Sequence, residues 1–194
     1  AFDVHLPLMS LTNVLGLLRE ADLQAQVPSL VADAGRVDAW RSRLAGTSER
    51  KIGIVWQGNP QHTRDALRSI PLAHFLALAN VAGVRLYSLQ KGAGREQLAS
   101  LGRQHSILDL AEDLTDFAET AAACQALDLV ITCDTAVAHL AGGLGKPVWI
   151  LNRFDSCWRW LDGRTDTPWY PTARLFTQPA PGDWASVIAQ VIHE

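Results

Sequence analysis

Cysteine is scarce in this chain: Cys124, Cys133 and Cys157 are the only three in 194 positions. None stands in a C-x-x-C pair and two lie in apolar stretches, so they read as buried thiols, and a reducing cytoplasm is the expected compartment. Basic charge is also in short supply. A formal net charge of -3 offers no broad surface to nucleic acid or anionic lipid, which leaves only local basic pockets to consider. No apolar run approaches the roughly 18 residues that span a bilayer, so no transmembrane segment is expected. Several signatures of catalysis are missing as well. Gly145-Lys146 is followed by Pro147 rather than Ser or Thr, so there is no P-loop, and no G-x-G-x-x-G follows the first strand-like run. No G-x-S-x-G elbow occurs. His62, His74, His105 and His139 do not combine with cysteines at ligand spacing, and no D-x-D pair is present, so no bound metal is expected. Ordinary nucleotide hydrolases and dinucleotide dehydrogenases therefore lose support.

What the chain does have is apolar substance, 48% of its residues, enough to bury the core of one large domain or of one domain with an added fragment. From Lys51 onward, strand-like runs alternate with helical patterns. The strands are expected at Ile52 to Trp56, Val84 to Leu89, Ile107 to Leu110, Leu129 to Cys133 and Val148 to Leu151. The helices are expected at Leu72 to Asn80, Arg95 to Arg103, Phe117 to Ala126 and Ala136 to Gly142. Pro71 suits a first helical turn, and Asp116 with Glu119 has capping-box spacing. Alternation of this kind predicts an α/β fold, a Rossmann-like parallel sheet with right-handed crossovers and helices on both faces. Residues 1–50 carry helical patterns at Leu11 to Leu18 and Val37 to Leu44 without strand signal, and read as the tail of something upstream. The start at Ala1 fits a trimmed fragment. Near the other end, Trp158, Trp160, Trp169 and Trp184 lie among prolines and glycines, closing the core or facing a partner. A short amphipathic helix from Trp184 to Ile192 follows.

The most informative stretch runs from Leu129 to Leu151. It reads as a buried strand, a tight turn, a short helix and a second buried strand. Asp134 and Thr135 suit a helix cap, and Gly142, Gly143 and Gly145 end the helix before Pro147. A helix N-terminus at the carboxyl edge of a parallel sheet offers unsatisfied N–H donors and partial positive charge, so a phosphorylated ligand is the first expectation.

Three segments should meet at that edge. The loop from Trp56 to Pro71 is long and polar, where a plain connection takes about 2 to 6 residues. Its Arg64 and Arg68 are candidate diphosphate clamps, or else surface arginines of a loop, since a guanidinium pairs two oxygens at once. The segment after the second strand holds Gln90 and Lys91 within reach of base, ribose or phosphate, with Gly92 and Gly94 permitting close backbone approach. The third is Asp134 to His139. Thr135 and His139 share a helical face, His139 either as a ligand contact or as a packed, hydrogen-bonded residue.

These residues resemble a known family. Asp-Thr-x-x-x-His-Leu-Ala at Asp134 to Ala141, followed by Gly-Lys-Pro at Gly145 to Pro147, is similar to the donor-binding half of GT-B glycosyltransferases of the family 9 heptosyltransferase type. Further runs resemble bacterial glycosyltransferase-like domains fused behind tetratricopeptide repeats. They are Trp-x-Gly-Asn-Pro-x-His from Trp56, Arg-Ser-Ile-Pro-Leu from Arg68, Ser-Leu-Gln-Lys-Gly from Ser88, Asp-Phe-Ala-Glu-Thr from Asp116, Trp-Arg-Trp-Leu from Trp158 and Pro-Trp-Tyr-Pro-Thr from Pro168.

The resemblance implies the C-terminal half of a GT-B fold: residues 1–50 as the tail of an N-terminal acceptor lobe with its interlobe linker, and 51–194 as the nucleotide-sugar domain. It implies inverting hexosyl or heptosyl transfer from a nucleotide-diphosphate sugar, without metal or other cofactor, to a glycan, lipid or protein acceptor. Donor contacts carry over to Arg68, Gln90, Lys91, Asp134, Thr135, Ala136 and His139, and Asn59 and Arg64 of the first loop stand beside them as candidate donor contacts. Arg68 stands where lysine is usual, and Ala136 where the heptosyltransferase loop has glycine. The catalytic base is expected upstream, with His5 the one candidate within the chain. Two other readings use the same lobe: a non-catalytic nucleotide-binding or assembly module, and a sugar-nucleotide epimerase.

Overall fold

The computed structural model describes residues 3–23, 27–102 and 105–194. Six strands form one sheet: β1 Arg50–Val55, β2 Val84–Ser88, β3 Leu108–Asp109, β4 Leu129–Cys133, β5 Val148–Asn152 and β6 Ala173–Thr177. Every pairing is parallel, and the order is β3-β2-β1-β4-β5-β6. All the carboxyl ends therefore emerge along one edge. From β1 the chain builds outward to β3, then returns to place β4 on the other side of β1. The loops after β1 and β4 diverge there and leave the crevice in which such folds bind ligands.

The helices are α1 Leu11–Val14, α2 Ala34–Arg43, α3 Asp65–Arg68, α4 Leu76–Ala79, α5 Glu96–Ser100, α6 Phe117–Ala126, α7 Ala136–Gly143 and α8 Trp184–Ile192. They cover both faces, as a sheet buried on each side requires. One face packs Val55, Val130, Val148 and Ile150 under α2, α6 and α7. The other packs Ile52, Ile54, Leu129 and Ile131 under α4, α5 and α8. Gly53 sits mid-strand because a side chain there would meet buried Leu127 and Leu89, at 2.7 and 2.8 Å from its Cβ.

Four expectations change in the structure. The single helix expected over Leu72 to Asn80 is a 3-10 turn, Leu72–Phe75, that runs into α4. Its buried residues Leu72, Phe75 and Leu78 recur every third position, which suits three residues per turn rather than 3.6. The Leu11 to Leu18 pattern yields only α1. Val14, Leu15 and Leu18 are exposed, and a short helix with no packed face has little to hold it. The helix from Arg95 shortens to α5, with Gly102 at positive φ beyond it; its expected last residue, Arg103, lies outside the described residues. Finally, β6 was not expected, because Ala-Arg-Leu-Phe-Thr between two prolines carries a weak strand pattern. Its pairing with β5 makes it an edge strand.

The end of α7 is set by glycine. Lys146 N–H bonds Ala141 C=O at 2.9 Å and Gly145 N–H bonds Gly142 C=O at 3.0 Å, with Gly145 at φ +71, which is the Schellman arrangement. Within the helix, a Cβ on Gly142 would stand 2.4 Å from the Tyr170 ring. Gly142→Ala therefore sets a helix-propensity gain of about 1 kcal/mol against overpacking of about 2–3 kcal/mol. The expected net loss is ~1–2 kcal/mol, a fall of several degrees in Tm by calorimetry.

Candidate functional site

A cavity of about 660 Å³ opens at the carboxyl edge, between the β1–β2 and β4 ends, within the range of small-molecule sites. Four chain segments wall it: Gln57 to Pro60 with Arg68; Leu89, Gln90, Lys91 and Ala93; Leu114 to Phe117 with Thr120; and Thr135 to Val137. Its lining is mainly apolar, with Val55, Leu89, Leu114, Phe117 and Val137 set around few polar groups.

The first wall is a loop closed on itself, since Ile70 N–H bonds Trp56 C=O at 2.8 Å. The Trp56 ring is fully buried and donates its indole N–H to Gly94 C=O at 3.1 Å. Arg68 returns from α3 across the crevice. Its Nε–H donates to Asp65 Oδ1 at 2.9 Å, and an Nη1–H donates to the Asp134 carbonyl at 2.8 Å. One guanidinium thus ties the β1 loop to the turn that opens α7. Asn59 is exposed and lines the cavity, its Oδ1 accepting Gln61 N–H at 3.0 Å. Arg64 does not join them: it is exposed and pairs with Asp155, in the loop after β5, at 3.2 Å.

Gln90 and Lys91 bind their own chain. Buried Gln90 accepts from the N–H groups of Trp56 and Gln57, each at 3.1 Å. Its Nε2 donates to the carbonyls of Gln57 and Ala93 at 3.0 and 2.7 Å. The amide is fully occupied in holding the first two walls together. Lys91 Nζ donates to Ala111 C=O at 3.1 Å and Leu114 C=O at 2.6 Å, which anchors the turn leading to the third wall. Gly94 has φ +88, and a Cβ there would collide with Gln57 at 2.7 Å.

Thr135 occupies the N-cap position of α7 without using its side chain as a cap. Its hydroxyl meets that of Thr132 at 2.9 Å. Thr135, Ala136 and Val137 all line the cavity, so the first turn of α7 faces it; the N–H groups of Ala136 and Val137 have no acceptor within the helix, whereas Ala138 N–H donates to Thr135 C=O at 3.0 Å. Asp134 contributes its carbonyl to Arg68, and its carboxylate is not part of the lining.

His139 points elsewhere. Its Nδ1 pairs with Tyr170 Oη at 3.0 Å and its ring stacks on Trp160 at 5.0 Å. Burial lowers its pKa, with Arg159 acting in the same direction and Asp134 against it. His5 is exposed and does not line the cavity.

Other lining residues escaped the sequence reading. Gly58 lies in the first loop beside the arginines, and Asp65, buried and outside the lining, binds Arg68 from the same loop. Thr115, Asp116, Phe117 and Thr120 line it too, where the helix-start pattern and the family-like run from Asp116 carry no assignment of a ligand contact. Asp116 does cap α6, with Oδ1 accepting Glu119 N–H at 2.7 Å, a bond that holds its carboxyl below the usual range. Glu119 does not complete the box: it accepts the Trp40 indole N–H at 2.8 Å and pairs with Arg36 at 2.9 Å. Phe117, 65% exposed, is a large apolar ring left at the cavity rim.

With this geometry the chain resembles solved structures of glycosyltransferases. Against ADP-heptose heptosyltransferase II of E. coli the TM-score is 0.63 at 18% identity, covering 89% of this chain and 54% of that one. A family 9 glycosyl transferase from Veillonella parvula gives 0.59 at 15%, covering 84% and 51%. E. coli heptosyltransferase WaaC with ADP gives 0.54 at 16%, covering 81% and 48%. These show a shared α/β Rossmann-like fold over about half of each enzyme. In sequence, the chain is 30% identical over 170 residues to protein FlbA of Caulobacter vibrioides, covering 84% of this chain and 28% of that protein. No family model matches the chain. Among the described residues, no helix is long and apolar enough to cross a membrane.

Because His139 is kept neutral in the fold, the unfolded chain takes up the extra proton as pH falls through the ordinary value of 6.5 and below, and stability is lost in that direction. The urea midpoint should fall from pH 7.5 to pH 5.5, and His139→Gln should reduce that dependence.

Proposed function

We propose that the chain is the donor lobe, the C-terminal half, of a metal-independent inverting GT-B glycosyltransferase, and that the cavity takes a nucleotide-diphosphate sugar. The observation that carries this reading is Arg68 braced onto the opening turn of α7, beside the helix N-terminus that faces the same cavity. A guanidinium and a helix start together make an anion site without a metal ion. In this reading the diphosphate lies against Arg68 and the N–H groups of Ala136 and Val137. The base lies among Leu89, Leu114 and Phe117, and the sugar toward Asn59 and Pro60. Gln90 and Lys91 keep the walls in place, and Arg64 contributes through the loop after β5 rather than by contact.

As the anomeric C–O bond breaks, its electron pair moves onto the leaving diphosphate, where fixed donors stabilise the growing charge. The acceptor hydroxyl attacks from the opposite face of the sugar and passes its proton to a base on an acceptor lobe. That lobe, or tetratricopeptide repeats joined to it, would complete an enzyme of which residues 1–50 supply the connecting tail. The solved structures support the ligand class, since one is named for ADP-heptose and another was obtained with ADP. Cytoplasmic placement fits the three unpaired thiols.

A thermal-shift panel of ADP, GDP, UDP, CDP and their sugars tests the reading. At 100-fold excess over Kd, one nucleotide class should stabilise the fold by about 2.7 kcal/mol, a rise of ~5–10 °C, and a chelator should not change it. A flat panel would leave a non-catalytic module as the better account; conversion of the nucleotide sugar without acceptor would indicate an epimerase.

A further inference from the structure

We infer that Asp65 is a positioning residue for diphosphate recognition, acting through Arg68 and seated by the missing side chain of Gly58. The inference rests on the reading of the cavity as a nucleoside-diphosphate site. Asp65 is 3% exposed, a rare place for a carboxylate unless it is paired. Both of its oxygens are used: Oδ1 accepts Arg68 Nε–H at 2.9 Å and Oδ2 accepts Ser69 Oγ–H at 3.1 Å. With Asp65 on its Nε edge and the Asp134 carbonyl on Nη1, Arg68 is held at two points of its plane. Of its five N–H groups, the other three have no partner among the described residues, on a side chain that lines the cavity.

Gly58 gives an independent indication. Its backbone is not at positive φ, so conformational freedom does not account for it. A Cβ at this position would lie 2.4 Å from Arg68 Nη2 and 2.6 Å from Asp65 Oδ1. The glycine leaves the slot in which the ion pair lies against the wall. A long cationic side chain loses much rotamer entropy when it is immobilised. Two anchors and a fitted slot meet that cost before the ligand arrives, which is how preorganisation raises affinity.

Asp65 also offsets the charge of Arg68, so its benefit must come from geometry. Removing the carboxylate frees the cation yet should weaken binding, which sets the proposal apart from plain electrostatic attraction. The effect should be confined to the phosphates, because the apolar walls that would hold a nucleoside do not involve Asp65.

The test measures affinity for ADP, GDP, UDP and CDP by calorimetry and for the four matching nucleosides by NMR titration, in the wild type and in variants. For the pair that the wild type prefers, Asp65→Ala should lower diphosphate affinity about tenfold and change nucleoside affinity less than about twofold. Asp65→Asn, which keeps an acceptor for Nε–H, should stay within about threefold of wild type. Gly58→Ala should reproduce the Asp65→Ala pattern, and in an Arg68→Gln background Asp65→Ala should add nothing. Parallel loss of both ligands, no loss, or an undiminished Asp65→Ala effect without Arg68 would overturn the proposal. If Asp65→Ala does not fold, Gly58→Ala and the Asn variant decide by the same ratio. A wild type that binds none of the four diphosphates would overturn the parent reading instead.

Discussion

The pairing of β4 with β1 governs this molecule. After β1 the chain runs outward through β2 to β3, and only β4 brings it back to the other flank of the first strand. Two neighbouring strands then send their loops to opposite sides, and the backbone cannot fill the space between. Every cavity wall follows from that reversal, including the start of α7 beside the end of β1. Interior packing sustains it: β4 is buried at all five positions, with Val130 in one core and Leu129, Ile131 and Cys133 in the other. Burial also raises the Cys133 thiol pKa, in keeping with a small side chain packed among Ile54, Leu129 and Ile131 in that second core.

Polar side chains around the cavity spend much of their bonding capacity on the protein. Gln90 secures two loops, Lys91 a third, and Arg68 a fourth. A crevice between loops of different strands has no ladder of main-chain bonds to define its width. Side-chain amides and cations that reach across supply that definition, leaving an apolar lining with a few oriented donors.

The strand succession was legible in the sequence because parallel strands covered on both faces read as continuous apolar runs, and Leu129 to Cys133 is the clearest of them. Helices α6 and α7 were legible from a capping aspartate and from terminal glycines. β6 was not, since an edge strand with Arg174 in it needs less apolar sequence. For the candidate site, the loops were readable and the directions of side chains were not. Local pattern could not tell that Arg64 turns to Asp155, that Gln90 is consumed by backbone, or that His139 joins Trp160 and Tyr170. Those outcomes depend mostly on residues 20 or more positions away. Phe117 was hidden for a different reason: a helix-start pattern accounts for Asp116 and Glu119 and gives no indication of what the ring of Phe117 faces.

The contact between α2 and α6 carries a mechanical consequence. Trp40 and Arg36 grip Glu119, and Arg43 pairs with Asp113 just ahead of the third wall. The polypeptide entering at Ala34 is thus riveted to the helix whose first turn holds Phe117. The side chains that seat α2 therefore also fix the flank of the crevice mouth that carries Phe117.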